Sequence, residues 1–218
     1  MSDRTTRILQ LLLVACMAGL GLWAWQQLPP GAAVPVHFNA AGQVDGWAAP
    51  LPGLFLLPVL ALALLGLQSL LPRVDPKGDN LRKSGKALAT IWITVTVLLA
   101  LVQLHIVLRA LGLAGAEPQL PLVLIGGLLM VMGNVLGKLR ANYTVGIRTP
   151  WTLSSERVWD QTHRFGGKVF MLAGALLIVA AFVALPSAWR TPLTLVIVLG
   201  AAGLVTLKSY WLWRAQQR

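Results

Sequence analysis

The stretch GNVLGKLRANYTVGIRTPWTLSSERVWDQTHRFGGK, residues 133–168, is a polar, motif-dense insert between two apolar runs of a 218-residue chain. The runs that flank it, 120–137 and 168–185, are each close to the roughly 20 residues that one bilayer crossing needs. Four more runs of this kind lie outward from it, at 8–28, 51–71, 87–111 and 193–213. Backbone groups cannot stay unpaired in hydrocarbon, so each run reads as a helix. The expected fold is an all-α integral membrane protein with six transmembrane helices. The composition agrees, being 56% hydrophobic and only 11% charged.

Orientation follows from the basic residues. Of the 18 Lys and Arg residues, all but Arg109 and Arg190 fall at the two ends of the chain, between 72 and 86, or between 138 and 168. The positive-inside rule places both termini and both basic loops in the cytoplasm. The formal charge of +11 then sits entirely on the inner face. Such a face is held against anionic lipids, each basic side chain contributing on the order of 1 kcal/mol. No fold or motif for direct nucleic-acid binding accompanies it. Tryptophans agree with this placement: Trp23, Trp25, Trp47 and Trp189 near the outer boundary, and Trp92, Trp151, Trp159, Trp211 and Trp213 near the inner one. The chain divides into a two-span unit (1–72) with an outer loop at 29–50, a basic cytoplasmic loop with the third span (73–119), and a three-span unit (120–218) around the inner loop 138–168.

The run Leu13-Val14-Ala15-Cys16 looks superficially like a lipoprotein cleavage site, but hydrophobicity continues past it to Trp25, as in an uncleaved first span. A single cysteine excludes an internal disulfide, and Cys16 is expected to pack within its helix bundle.

In the outer loop, Val34, Val36 and Phe38 alternate with Pro35 and His37, a period of two that predicts a short extracytoplasmic strand. Residues 39–42 offer turn chemistry, and Val44-Asp45-Gly46 offers a second turn. Pro35 confines the strand to an edge. An edge strand is either a surface for backbone pairing with an extended peptide or part of a rigid cap over the helix ends. His37 and Asp45 alone are too few to hold a metal.

Within the spans, the third carries Thr90, Thr94, Thr96, Gln103, His105 and Arg109. His105 and Arg109 share one face near the outer end, where Arg109 can snorkel and His105 can either respond to protons or fix helix orientation by a hydrogen bond. Small residues at fourfold spacing, Ala15 with Gly19 and Gly133 with Gly137, predict close helix approach. Asn134 is placed to cap or cross-link neighbouring helices.

In the inner loop Pro150 forces Thr149 out of helical geometry. Ser154 is expected to cap a short interfacial helix between the fourth and fifth spans, with Glu156 in its first turn and Gly166-Gly167 at its end. Glu156, Trp159, Asp160 and His163 fall at offsets 0, 3, 4 and 7, hence on one face. Trp151 and Trp159 would anchor this helix in the interface. His163 with Glu156 or Asp160 could in principle do acid-base chemistry, but no paired metal-binding motif and no nucleophile with a base accompanies them.

Gly133 through Asn142, Gly146-Ile147-Arg148-Thr149-Pro150-Trp151-Thr152-Leu153, Trp159, Thr162-His163-Arg164 and Gly167 together resemble the signature of the SdpI family of bacterial multispanning immunity proteins. The pattern Leu28-Pro29, Pro35-Val36-His37-Phe38-Asn39, Gly42 and Asp45-Gly46 is similar to the companion N-terminal domain of that family. The resemblance implies a multi-pass protein of the bacterial cytoplasmic membrane, not an enzyme and without a cofactor. It implies protection against a secreted antimicrobial peptide toxin and, in the archetype, retention of a small transcriptional repressor at the membrane. On this reading the toxin meets His37, Phe38, Asn39, Asp45 and Trp47. Coupling or partner docking falls to Asn134, Asn142, Gly146, Arg148, Thr149, Pro150, Trp151, Glu156, Trp159, His163 and Arg164. The alternative is a small-solute transporter or channel, which needs polar residues of several spans to converge; His105, Gln103 and Asn134 are nearly all the sequence offers.

Overall fold

A computed structural model describes residues 3–39 and 42–218 of the chain. In chain order it contains α1 (Asp3–Gln27), β1 (Val34–Phe38), β2 (Val44–Ala48), α2 (Pro50–Val74), α3 (Gly78–Lys83), α4 (Gly85–Ala110), α5 (Leu120–Leu136), α6 (Pro150–Ser154), α7 (Glu156–Phe182) and α8 (Ser187–Gln216). Five helices, α1, α2, α4, α7 and α8, are long and apolar enough to cross a membrane, and α5 is a shorter apolar helix of 17 residues. Their outward faces are leucine-rich and exposed, at Leu12, Leu56, Leu172 and Leu199 for example, as a helix needs where hydrocarbon is its solvent.

Helices α1, α2 and α4 pack on one another, α7 packs on both α5 and α8, and α4 against α5 joins the two groups. The closest seam is α5 with α7, and its cause is glycine. A Cβ on Gly126 would meet the Gly174 carbonyl at 2.7 Å, and one on Gly133 would meet the Gly167 carbonyl at 2.6 Å. Each helix contributes two glycines one heptad apart, so the antiparallel backbones touch at two successive levels. Gly133 therefore works with Gly167 across the seam. The expected fourfold pairs do not act together: Gly137 makes only ordinary contact with Arg164, Gly19 faces open space and Ala15 is exposed. Cys16 is likewise exposed on the outside of α1 and does not pack inside.

The outer strand forms as expected and pairs antiparallel with β2. The Asn39 carbonyl accepts from Gly42 N–H at 2.9 Å, and Gly42 has φ +71°, which suits glycine; the turn tip, Ala40-Ala41, lies outside the described residues. Val44-Asp45-Gly46 is not a second turn but the first half of β2. Gly46 lies opposite His37 at a register shift, where a Cβ would come within 2.7 Å of the His37 Cβ, so its missing side chain serves strand pairing and not chain reversal. The hairpin caps α1, α2 and α4: Val34 is fully buried with Ala24, Leu54, Ile106 and Val107, and Phe38 packs on the same cluster.

The interfacial helix between the fourth and fifth spans takes a different form. It divides at Ser155 into the five-residue α6 and the long α7, which runs without a break through Gly166-Gly167 into the span. Those glycines face inward, where Gly166 lies against Ile147 and Gly167 against Gly133, so they serve helix packing rather than termination. Ser155 and not Ser154 is the cap of α7, accepting from Val158 N–H.

Several buried polar side chains inside the bundle bond one another, whereas Gln103 Oε1 and Thr162 Oγ1 are buried with no hydrogen-bond partner among the described residues. Gln10 Nε2 donates to Thr96 Oγ1 at 3.0 Å and Gln68 Nε2 donates to Gln10 Oε1 at 2.9 Å, tying α1, α2 and α4 together. Gln103 Nε2 donates to the Leu54 carbonyl at 2.8 Å. Thr90 and Thr94 bond back to carbonyls four residues earlier on α4.

Candidate functional site

The chain between α5 and α7 folds as a compact cage around one histidine. Loop 138–149 has little regular backbone pairing of its own, so side chains must satisfy its amides. Asn142, 1% exposed, does most of this. Its Nδ2 donates to the carbonyls of Arg140 (2.9 Å) and Val145 (3.0 Å), and its Oδ1 accepts from the N–H groups of Thr144 (2.9 Å) and Val145 (2.7 Å). An amide side chain offers both donors and acceptors, which is what this turn requires.

Gly146 follows with φ +125°, a conformation that L side chains rarely adopt. A Cβ there would lie 2.5 Å from His163 Nε2 and 3.1 Å from the Trp159 ring. Only a glycine lets the loop come this close. The approach delivers Ile147 N–H to His163 Nε2 at 3.0 Å, while His163 Nδ1 bonds the Trp159 carbonyl at 2.9 Å. A nitrogen that accepts and a nitrogen that donates define the neutral tautomer with the proton on Nδ1. Trp159 and His163 are both fully buried and their rings stack with centroids 3.9 Å apart. Trp159 Nε1 donates to the Leu139 carbonyl at 2.8 Å.

Thr149 then starts α6 with a capping box: its Oγ1 accepts from Thr152 N–H, and its own N–H donates to Thr152 Oγ1 at 2.9 Å. Its backbone is extended (φ −96°, ψ 160°), as the following Pro150 demands. Thr149 Oγ1 also lies 3.0 Å from Ser209 Oγ of α8, and Trp151 packs on Tyr210 of the same helix. Arg148 Nη1 donates to the Tyr143 carbonyl at 2.9 Å with the residue otherwise exposed.

The structure thus brings Asn142, Gly146, Arg148, Thr149, Trp151, Trp159 and His163 into one site. It splits the expected helical face: Trp159 and His163 turn inward, while Glu156 and Asp160 are exposed. Trp159 is consequently a core residue and not an interfacial anchor. Pro150 and Arg164 are exposed at the margin, and Asn134, exposed on α5, has no hydrogen bond among the described residues. Both ring nitrogens of His163 thus serve to hold the loop against α7, and the Glu156 and Asp160 carboxylates point away from the imidazole.

Sequence reading missed how the cage is anchored to the first half of the chain. Asp75, 7% exposed, accepts from Lys77 N–H (2.7 Å), Tyr143 N–H (2.9 Å) and Thr144 Oγ1 (2.9 Å). Asn80 Nδ2 donates to the Ala141 carbonyl at 2.8 Å, Arg140 N–H donates to Ser84 Oγ at 2.9 Å, and Lys77 pairs with Glu156 at 3.2 Å. The available signal was a pair of carboxylates, Asp75 and Asp79, in a loop otherwise dominated by basic residues, and nothing in the sequence singles out Asp75 of the two.

At the other end of the bundle, His37 Nδ1 and Asp45 Oδ1 are 2.5 Å apart and exposed, and Trp47 is 61% exposed. Phe38 instead points into the fold, edge-on to His105 at 4.8 Å and under the Arg109 guanidinium at 5.7 Å. Asn39 Oδ1 accepts from Gln43 N–H at 3.0 Å. Ile91 packs in the cage core and Val107 in the hairpin core, both on α4; a helical rise of 1.5 Å per residue puts them about 24 Å apart.

Residues 138–209 match the SdpI/YfhL protein family, and residues 12–62 match a domain of unknown function, DUF1648. Immunity protein SdpI of Bacillus subtilis (strain 168) is 33% identical over 117 residues, covering 52% of this chain. The chain spans about half of that relative's length, 54%. No solved structure matches. The cage, α7 and most of α8 fall within the segment that matches the SdpI/YfhL family and the hairpin within the DUF1648 segment, and with five helices long and apolar enough to cross a membrane the chain is a multi-pass membrane protein carrying both units that its two loops resemble.

Proposed function

We propose that this chain is a non-enzymatic immunity protein of the bacterial cytoplasmic membrane that protects its host from a secreted antimicrobial peptide toxin. The observation that carries the reading is the cage at 138–168, whose buried histidine has both ring nitrogens bonded internally, within a segment that matches the SdpI/YfhL family. What the cage presents outward is Arg148, Pro150, Glu156 and Arg164, a face suited to docking. The likeness to Immunity protein SdpI supports the toxin-directed role. With both termini and the cage in the cytoplasm, the hairpin meets the peptide from outside through His37, Asp45, Trp47 and the open strand edges, which accept an extended segment by backbone pairing. The cage face is then where a cytoplasmic repressor is held.

The test is survival of a toxin-sensitive bacterium expressing the chain when challenged with an Sdp-type peptide. Arg148→Ala, Trp151→Ala and His37→Ala variants run alongside at matched membrane levels. The parent should protect, and loss in a variant shows which end carries protection. A parent that gives no protection, or that conducts solutes across liposomes without toxin, overturns the reading in favour of a transporter or channel.

A further inference from the structure

A basic cavity lies outside both the cage and the hairpin. It opens between the start of α1, the end of α2, α3 and the start of α4, with a volume of about 380 Å³, within the roughly 300–1,000 Å³ range of small-ligand sites. Arg7, Arg73 and Arg82 line it together with Ser69 and Gln68, and no Asp or Glu is among its lining residues. Leu81, Leu88, Ala89 and Trp92 give it an apolar wall. Three guanidinium groups beside an apolar wall, at the level where several membrane-spanning helices start or end, fit a ligand that is anionic at one end and hydrocarbon at the other.

We propose that this cavity binds the phosphodiester headgroup of an anionic glycerophospholipid, with its acyl chain lying along the Leu88 and Trp92 side of α4. The three arginines are not equivalent. Arg7 Nη1 donates to Ser69 Oγ at 3.1 Å, which fixes it toward the cavity. Arg82 is tied to the Pro72 carbonyl and to Asp79, so it shapes the wall and is partly neutralised. Arg73 has no hydrogen bond or ion pair among the described residues, which leaves its fork open for bidentate binding of phosphate oxygens. Gln68 connects the cavity to the buried Gln10–Thr96 chain. A headgroup seated here would therefore touch the network that ties α1, α2 and α4 together.

The experiment is native mass spectrometry of the full chain purified from bacterial membranes in mild detergent. The wild type should retain one phosphatidylglycerol or cardiolipin. Arg73→Gln should reduce that occupancy by about fivefold, the effect expected for one basic contact, and Arg7→Gln/Arg73→Gln by more. Lys83→Gln removes the same charge nearby without lining the cavity and should leave occupancy unchanged. If the double variant does not fold, Arg73→Gln decides alone. Quenching by brominated phosphatidylglycerol gives a second readout: it should fall in Trp92→Phe, while brominated phosphatidylcholine should quench both proteins alike. Equal lipid retention in Arg73→Gln and wild type overturns the proposal, as does equal retention of phosphatidylcholine. Binding of soluble glycerol phosphate with no phospholipid retained also overturns it, in favour of a free phosphate ester.

Discussion

Replacing Gly146 by alanine tests the central geometry of the cage. Two costs can be worked out from the structure. The first is backbone strain: φ is +125°, and holding a non-glycine residue in a sparsely populated region costs about 1–3 kcal/mol. The second is steric. The new methyl would sit 2.5 Å from His163 Nε2, so methyl and ring must separate by about 0.9 Å to reach an ordinary contact of 3.4 Å. That displacement takes the 3.0 Å bond from Ile147 N–H out of range, and a part-buried donor left without its partner costs about 1–3 kcal/mol. Together they give about 2–6 kcal/mol, against a total stability of about 5–15 kcal/mol for typical folded proteins. Equilibrium unfolding in detergent measures the sum, and amide exchange at Ile147 reads the lost bond. A cycle with His163→Ala separates the parts. In the His163→Ala background the clash with the imidazole and its bond no longer exist, so Gly146→Ala should cost only the strain and the 3.1 Å approach to the Trp159 ring, and the two substitutions should be non-additive by about 1–3 kcal/mol. Additivity, or a Gly146→Ala protein within about 0.5 kcal/mol of wild type, would refute the reasoning.

Four further outcomes follow from particular contacts. Gly126→Ala should destabilise the α5–α7 seam by about 1–3 kcal/mol, because its methyl meets the Gly174 carbonyl, whereas Gly127→Ala, which faces open space, should be neutral or slightly stabilising on the same unfolding assay. Asp75→Asn removes a charged acceptor shared by three donors and should cost about 2–3 kcal/mol, with faster amide exchange at Tyr143 and no change at the hairpin. Trp159→Phe keeps most of the packing but leaves the Leu139 carbonyl unpaired, so a loss of about 1–2 kcal/mol is expected, and a neutral result would show that water or another donor replaces the indole. The hydrogen bond and charge of Arg82 hold the Asp79 carboxyl below its ordinary value. A depressed carboxylate stabilises the fold at neutral pH, and that contribution is lost as pH falls through the folded-state value. The Asp79 titration followed by NMR should therefore move upward in Arg82→Gln.

Fold class was legible in the sequence because the physics is local. The apolar runs, the alternation through Val34, Val36 and Phe38, and the Thr149-Pro150 turn each depend on neighbours a few residues away. Loop 138–168 was recognisable as a distinct unit for the same reason, since its glycines, aromatics and His163 are concentrated in one stretch.

Tertiary structure decided what those residues do. Gly166-Gly167 read as a helix end, but in contact with α5 they become the means by which two helices approach, and α7 continues through them. Glu156, Trp159, Asp160 and His163 share a helical face on paper, yet the cage touches only Trp159 and His163, so two are buried and two are left exposed. Gly46 read as a turn until His37 was placed opposite it. Asp75, Asn80 and Ser84 act on partners more than 50 positions away, and Gln10 and Gln68 find each other across 58. Periodicity and local propensity carry no information about such pairings, because they arise only when separate helices are brought side by side and each buried polar group must find a partner.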